Sequence, residues 1–173
     1  MPKVEIADPW PRLRDVLAAA VSGLQGGRFI EETLEALCVQ LGAGSAWSTL
    51  ETKGSGPLHR SRTASFHGVA PAVLALHVDD VLTRVQKELK TVAGPLEYAP
   101  KGSFIAVPLW SRPTASAKGR TLMGALYLEF ESDQGSQGVI VEFVESVGML
   151  LGGMIAQQTL IEATQYARRK RCA

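Results

Sequence analysis

The chain has 173 residues, of which 46% are hydrophobic, and this is enough for one domain with a substantial core. Its 18 basic and 17 acidic residues leave a net charge of +1, which excludes the strong positive field that favours nucleic acids or anionic membranes. The two cysteines, Cys38 and Cys172, are too far apart in sequence to indicate a disulfide framework or a Cys-x-x-Cys site.

The N-terminal sequence and the short length of the longest apolar stretch predict a cytoplasmic location. The first ten residues lack the charged-then-apolar order of a signal peptide. The longest apolar stretch, Val147–Ala156, has about half the length that spans a bilayer, so no membrane segment is expected. The basic run at residues 168–171 is expected to solvate a chain end. We therefore expect a domain whose cysteines are reduced and which contacts neither nucleic acid nor membrane directly.

Two helices are predicted before the first strand. The first follows the helix-start sequence Asp-Pro-Trp-Pro at residues 8–11 and has apolar residues at helical spacing from Leu13 to Leu24. The second extends from Phe29 to Leu41 with the same spacing, and the Gly-Ala-Gly sequence at residues 42–44 ends it.

Two pairs of strands are predicted, each joined by a polar connection. Ser45–Glu51 and Leu58–Phe66 carry alternating polar residues and flank a turn rich in Gly, Ser and Pro. Ser103–Arg112 and Leu122–Phe130 are apolar on both faces, which predicts adjacent central strands. A sheet with such strands must be covered on both sides. Helices are expected on one side, and a helix or a ligand-enclosing loop on the other.

Two further helices complete the prediction. Pro71–Lys90 carries an apolar stripe between the two strand pairs, and Gly94-Pro95 is expected to break the segment after it. Ser136 can cap the last helix, which has one apolar side. Gly148 and Gly152 are four residues apart on that helix and predict its close packing against the sheet or another helix.

The order of the elements and the amino-acid sequences of four segments resemble those of a GAF domain. The nearest alternative folds are PAS, roadblock and other profilin-like folds. The resemblance extends from about Leu13 to about Gln158. The four segments are Leu34–Ala43, Phe104–Leu109, Met123–Leu128 and Val141–Gln157.

The resemblance implies an α+β fold, with an antiparallel sheet of six or fewer strands. The N- and C-terminal helices would lie on one face, and loops and short helices would close a small-molecule cavity on the other. Residues 1–173 are then expected to form a single domain, with a core at about 13–158 and a connecting helix at 159–173 that leads to an output domain. The implied function is sensing of an unknown effector within a larger signal-transduction or transcription-regulatory protein. A ligand-free dimerisation module is the alternative.

The residues needed for the specialised chemistry of this family are missing from the sequence. Cys38 and Cys172 are placed neither for covalent bilin attachment nor for methionine-sulfoxide reduction, so a thiol-dependent reductase is only a remote alternative. The chain has no asparagine, which the cyclic-nucleotide signature requires. The histidines His59, His67 and His77 match no compact metal motif and are expected to be surface residues of strands or loops. No enzymatic activity, cofactor or metal is therefore expected.

Seven residues are candidates for a ligand site. Arg60 and Arg62 project from the same face of their strand, where they either reach an anionic ligand or face solvent at the sheet edge. The aromatic candidates are expected to be mostly core residues. The segment from residue 71 to 100 should cover the cavity and be the least regular part of the domain. The seven candidates are Trp47, Arg60, Arg62, Phe66, Phe104, Trp110 and Tyr127.

A homodimer is expected, because the apolar residues of the last helix exceed the width of one stripe. Burying so wide a surface requires both the sheet and a second helix. The expected contact involves the first and last helices, at Leu17, Val21, Leu150, Ile155, Leu160 and Ile161.

Overall fold

The computed structural model describes residues 8–26, 28–50, 62–65, 71–111 and 119–171. The helices are α1 (Leu13–Gly26), α2 (Phe29–Leu41), α3 (Pro71–Glu88) and α4 (Gly138–Arg171), with short 3-10 helices at Trp10–Arg12 and Asp133–Ser136. The strands are β1 (Ser45–Leu50), β2 (Arg62–Ser65), β3 (Val92–Leu96), β4 (Ala99–Trp110) and β5 (Leu122–Phe130). Within the described ranges the strands form one antiparallel sheet in the order β2-β1-β5-β4-β3.

The α+β fold and most of the predicted elements are confirmed. β5 has the predicted bounds, and it pairs with β4 near the centre of the sheet. Gly42 ends α2 with a backbone φ of 68°, the left-handed conformation that glycine adopts at helix ends. The predicted turn at 52–57, most of the connection at 112–120 and both ends of the second predicted strand lie outside the described residues.

As predicted, α1 and α4 cover one face of the sheet, and α2 lies on the same face. Each helix contributes apolar residues at helical spacing, and these pack on the side chains that β4 and β5 direct to that face. We call this the helix-side cluster. Its fully buried members on the helices include Val16, Ala20, Leu37, Leu41, Ile140, Phe143, Val144 and Val147.

The other face of the sheet is covered by α3. Its residues Val78, Val81, Leu82 and Val85 are all buried and form its inner stripe, which packs on alternate residues of the strands. A hydrogen bond of 3.1 Å, donated by Gln86 Nε2 to Thr49 Oγ1, ties α3 to β1. We call this second layer the α3-side cluster. Its strand residues are Trp47, Val92, Leu96, Phe104, Ala106, Ala125 and Tyr127.

The predicted break at Gly94-Pro95 is wrong, because these residues lie inside β3. Proline lacks an amide donor, but β3 is at the edge of the described sheet, where a missing donor costs little. β4 also begins at Ala99, four residues earlier than predicted, and β3 and β4 form a hairpin. The segment from 71 to 100 is therefore regular, contrary to expectation.

The start of α4 also differs from the prediction. The helix begins at Gly138, two residues after Ser136. Ser136 instead ends a 3-10 helix, whose own cap is Ser132: the Ser132 hydroxyl accepts a hydrogen bond of 3.4 Å from the backbone amide of Gln134.

The apolar run at Val147–Ala156 lies within a longer helical stretch of α4 that is apolar on average. Among the described residues, Gly138–Ile161 is a helical stretch long and apolar enough to cross a bilayer, with a mean hydropathy of 1.8. The same stretch supplies Val144, Val147, Leu151 and Ile155 to the helix-side cluster. Burial against the sheet accounts for part of this apolar character, whereas Leu160 and Ile161 at the end of the stretch are exposed.

The close packing predicted from Gly148 and Gly152 is confirmed. A methyl group added at Gly152 would lie 2.3 Å from the Trp110 carbonyl oxygen and 2.6 Å from the Trp110 nitrogen. At Gly148 it would lie 3.0 Å from a methyl group of Val107. The middle of α4 therefore rests directly on β4, with no side chain between the helix and the backbone at Trp110.

We predict that Gly152→Ala lowers the free energy of unfolding by at least about 2 kcal/mol, because the strand backbone has no room to yield. Urea unfolding followed by circular dichroism would measure this change. Gly138→Ala is the matched control, since no heavy atom lies within 4 Å of its added methyl group. It should leave stability unchanged or slightly raised. Equal effects of the two substitutions would contradict the close approach of α4 to β4.

Candidate functional site

A group of polar and aromatic side chains lies at one end of the α3-side cluster. In the sheet register Glu129 of β5 is directly opposite Ser45 of β1 on one side and Phe104 of β4 on the other. Residues opposite each other in an antiparallel sheet project to the same face. Tyr127 is two residues before Glu129 and therefore shares this face, which α3 covers. The strand pattern thus places a carboxyl group within an otherwise apolar layer.

The Glu129 carboxyl group is buried, with 6% of the residue exposed. Its Oε2 atom accepts two phenolic hydrogen bonds, one from Tyr98 at 2.5 Å and one from Tyr127 at 3.2 Å. Burial, followed by the nearby Glu129 carboxylate, raises the pKa of both phenols above the ordinary tyrosine value. Both tyrosines therefore remain protonated hydrogen-bond donors at neutral pH.

His77 of α3 covers this group on the side that faces away from the sheet. Its ring makes edge-to-face contacts with three aromatic rings, at centroid distances of 5.1 Å to Phe104, 5.6 Å to Tyr98 and 5.9 Å to Tyr127. Phe104 and Tyr127 also stack on each other at 5.7 Å. We call His77, Tyr98, Phe104, Tyr127 and Glu129 the Glu129 group.

Two polar atoms in and beside this group have unused hydrogen-bonding capacity within the described part of the chain. The Nε2 atom of His77 and the Oγ atom of Ser45 are buried and make no hydrogen bond there. Both hydrogen bonds that Glu129 accepts from the phenols go to its Oε2 atom. Buried polar atoms are normally paired, so two unpaired atoms near one carboxyl group indicate a place where a polar ligand can bind.

The seven predicted ligand residues are divided by the structure. Trp47, Phe104 and Tyr127 are buried together in the α3-side cluster, and Trp47 pairs directly with Tyr127 across β1 and β5. Trp110 lies outside that cluster, at the end of β4 beneath α4. Arg60 and Phe66 lie outside the described residues.

Arg62 is described only as part of the backbone of β2. It pairs with Thr49, which in turn is opposite Ala125 of β5. Ala125 is four residues from Glu129 along β5, a distance of about 13 Å at the strand rise. The backbone at Arg62 is therefore separated from the Glu129 group, at the edge of the described sheet.

The sequence interpretation missed His77 as part of a site, and also Tyr98 and Glu129. His77 was expected to be a surface residue of a strand or loop, but it lies on a helix, half-buried against three rings. One signal was available in the sequence: Glu129 is the charged residue of an otherwise apolar strand, two residues after Tyr127. Alternation alone would have put both side chains on the same face.

The other candidate features lie away from the Glu129 group. Cys38 is buried in the helix-side cluster, on the opposite face of the sheet, beside Leu34, Leu37 and Leu41.

A shallow cavity of about 360 Å³ lies between the β3–β4 hairpin and the second 3-10 helix, lined by Lys101, Ser103 and Asp133 among others. A second, of about 410 Å³, is a surface groove between α1 and α2. Within the described ranges, no three His, Cys, Asp or Glu side chains are grouped to hold a metal ion.

No protein-family model and no curated protein matches the sequence. Solved structures do match. The GAF domain of a phosphoenolpyruvate-protein phosphotransferase from Coxiella burnetii has a TM-score of 0.61 at 10% identity, with 92% of this chain and 99% of that chain covered. The corresponding domain from Acinetobacter has a TM-score of 0.58 at 14% identity, covering 90% and 97%.

A third similar structure comes from a protein described as a sensor histidine kinase of Pseudomonas syringae pv. tomato. Its GAF domain has a TM-score of 0.54 at 17% identity and covers 88% of this chain and 92% of that chain. The likeness agrees with the single sheet, with α1 and α4 on one face and α3 on the other. The chain has the fold of a GAF domain.

Proposed function

We propose that this chain is a non-catalytic regulatory domain that senses a small molecule at the Glu129 group and forms a homodimer. It would act within a larger cytoplasmic signal-transduction or transcription-regulatory protein. The similar structures include domains from a phosphotransferase and from a protein described as a sensor histidine kinase, which agrees with a regulatory role.

The observation that carries the proposal is the polar character of one end of the α3-side cluster. Small-molecule sites are mostly apolar, with a few polar groups that fix the orientation of the ligand. The Glu129 group has this composition, with a carboxyl group, two phenols and an imidazole among aromatic and aliphatic side chains. A layer that served packing alone would gain nothing from a buried carboxyl group and an unpaired Ser45 hydroxyl.

The fold offers a direct connection from this site to the last helix. Phe104 belongs to the Glu129 group and lies on β4, and the same strand supports α4 at Val107 and Trp110. A ligand that moves β4 must therefore also move the middle of α4, because Gly152 rests on the strand backbone. α4 continues to Arg171, about 24 Å beyond its last buried core residue, Ile155, at the helical rise.

The outer surfaces of α1 and α4 support the proposed dimer. Val21 is 55% exposed, Leu160 is 67% exposed and Ile161 is 43% exposed. Leu17 and Leu150 are half-buried, so part of each remains available for contact. Ile155, expected at the interface, is instead 4% exposed and belongs to the core of this chain. We therefore centre the proposed contact on the exposed apolar residues of the two helices.

One observation favours the alternative of a ligand-free scaffold. The inner stripe of α3 is fully buried against the strands, so the chain's own side chains fill much of the layer beneath it. The ligand-sensing proposal therefore requires that the contacts of His77 open when a ligand binds. The following prediction separates the two functions.

A screen of metabolites and nucleotides should identify a compound that raises the melting temperature. Binding to the folded state alone adds about 2.7 kcal/mol at a concentration of 100 Kd, which corresponds to roughly 5–10 °C for a domain of this size. His77→Ala should abolish most of the shift. Leu76→Ala is the matched control, because Leu76 is the adjacent residue of α3 and is 75% exposed. If no compound shifts the melting temperature or protects α3 from hydrogen exchange, the scaffold function is favoured.

Sedimentation velocity at micromolar concentration should show a dimer that Leu160→Glu combined with Ile161→Glu dissociates. The reason is that two charges would replace apolar surface within the contact. Leu76→Glu combined with Thr83→Glu is the matched control, since both residues are exposed on α3, on the opposite face of the sheet. That control should sediment as the unsubstituted protein does. A monomer at every accessible concentration would contradict the dimer.

A further inference from the structure

We propose that the Glu129 group binds an organic cation, a protonated amine carried on an apolar or aromatic body. This inference rests on the proposed sensing function and adds the charge and shape of the effector. Three features of the site suit such a ligand: a carboxylate without a cationic partner among the described residues, an aromatic lining and a set of hydrogen-bond acceptors.

The Glu129 carboxylate lacks a cationic partner in the described part of the chain. The ion pairs of the described residues include Arg14 with Asp15, and Arg84 and Lys90 with Glu88, all at the surface. Buried carboxylates are stable when they are paired, and the two phenolic hydrogen bonds, both to Oε2, leave the charge of Glu129 without a counter-ion among these residues. A ligand cation would supply the missing charge. An anionic ligand would instead be repelled.

The walls of the site suit a cation as well. Phe104, Tyr98 and Tyr127 present three aromatic rings, and the His77 ring lies among them at centroid distances of 5.1–5.9 Å. Aromatic faces attract ammonium groups, and this attraction grows when water is excluded. The His77 imidazole fills the space between these rings. An amine that enters there would replace the ring contacts of His77 with its own.

The hydrogen-bond acceptors match the donors of a primary ammonium group, which has three N–H bonds. Glu129 Oε1 and Ser45 Oγ can each accept one of them, and the two residues are directly opposite each other on β5 and β1. The unpaired Nε2 atom of His77 can accept the third when the imidazole is neutral. A neutral alcohol has a single donor and no charge, so it would satisfy fewer of these atoms.

The position of two half-buried rings indicates how such a ligand reaches Glu129. His77 on α3 and Tyr98 on the β3–β4 connection are both partly exposed, whereas Tyr127 and Glu129 behind them are buried. The edge-to-face contact between His77 and Tyr98 therefore lies between solvent and the carboxylate. Opening this contact needs a movement of one end of α3 and leaves the sheet intact.

Isothermal titration calorimetry on the full chain at pH 7 tests the inference with three series of compounds. The amines are isopentylamine, phenethylamine and tryptamine, and each is compared with its matched alcohol and carboxylate. At least one amine should bind, and on the order of 10-fold more tightly than its alcohol, while its carboxylate should not bind. Glu129→Gln should weaken amine binding on the order of 10-fold or more, because it removes the charge and keeps the shape.

Two controls keep the test decisive. Glu131→Gln removes the same charge at an exposed position two residues away and should leave amine affinity unchanged. Urea unfolding should show that Glu129→Gln retains the stability of the unsubstituted protein, since it removes a charge that the described residues do not compensate. If that variant fails to fold, Ser45→Ala provides the second test: it removes the hydroxyl acceptor directly opposite Glu129 and should weaken the amine several-fold.

The outcomes separate the effector class from the sensing function. Failure of every amine to bind overturns the cation proposal, as does amine binding that Glu129→Gln leaves unchanged. Tight binding of an alcohol or a carboxylate, lost in His77→Ala, would overturn the cation class while supporting a sensory site. The sensing function itself fails only if the broader metabolite and nucleotide screen is also negative.

Discussion

The approach of α4 to β4 at Gly152 determines how the two faces of this sheet are related. Because a single methyl group would collide with the Trp110 backbone, the helix and the strand cannot shift independently. β4 carries Phe104 on its α3 side and supports α4 on its other side. The strand therefore joins the layer that contains the Glu129 group to the helix that extends farthest from the core.

The two faces of the sheet differ in what they bury. The helix-side cluster is built mainly from aliphatic residues and closes the sheet with ordinary core packing. The α3-side cluster is similar beneath the middle of α3, but at one end it contains a carboxyl group, two phenols and an imidazole. Desolvating such groups costs free energy unless each polar atom is paired. The proposed ligand site would offset this cost by pairing these polar atoms.

The sequence predicted the elements whose signals are local. α2 and β5 have dense apolar patterns and clear ends, so their bounds follow from spacing and from glycine. β3 was missed because Gly94-Pro95 has the composition of a break, and proline is tolerated there only because the strand lies at the sheet edge. The position of β3 at the sheet edge depends on the pairing of strands that are distant in sequence, and no local pattern reveals this pairing.

The candidate site was harder to predict for the same reason. Phe104 and Tyr127 were identified from composition, but their face was undetermined until the register of β4 and β5 was known. His77 and Glu129 are 52 positions apart in the numbering, and they meet only because α3 crosses over the sheet. The Arg62 prediction relied on strand alternation alone, which says nothing of the distance from Arg62 to the other polar residues.

The central claim is that a change at the Glu129 group reaches α4 through β4. The most direct measurement is the backbone amide chemical shifts of the protein with Phe104→Leu, compared with the unsubstituted protein and with Leu76→Ala on the exposed side of α3. Phe104→Leu should shift the amides of α3, β4 and the middle of α4, including Gly148 and Gly152, whereas Leu76→Ala should affect α3 alone. Shifts from Phe104→Leu that stop at α3 and the strands, with the α4 amides unchanged, would contradict the claim.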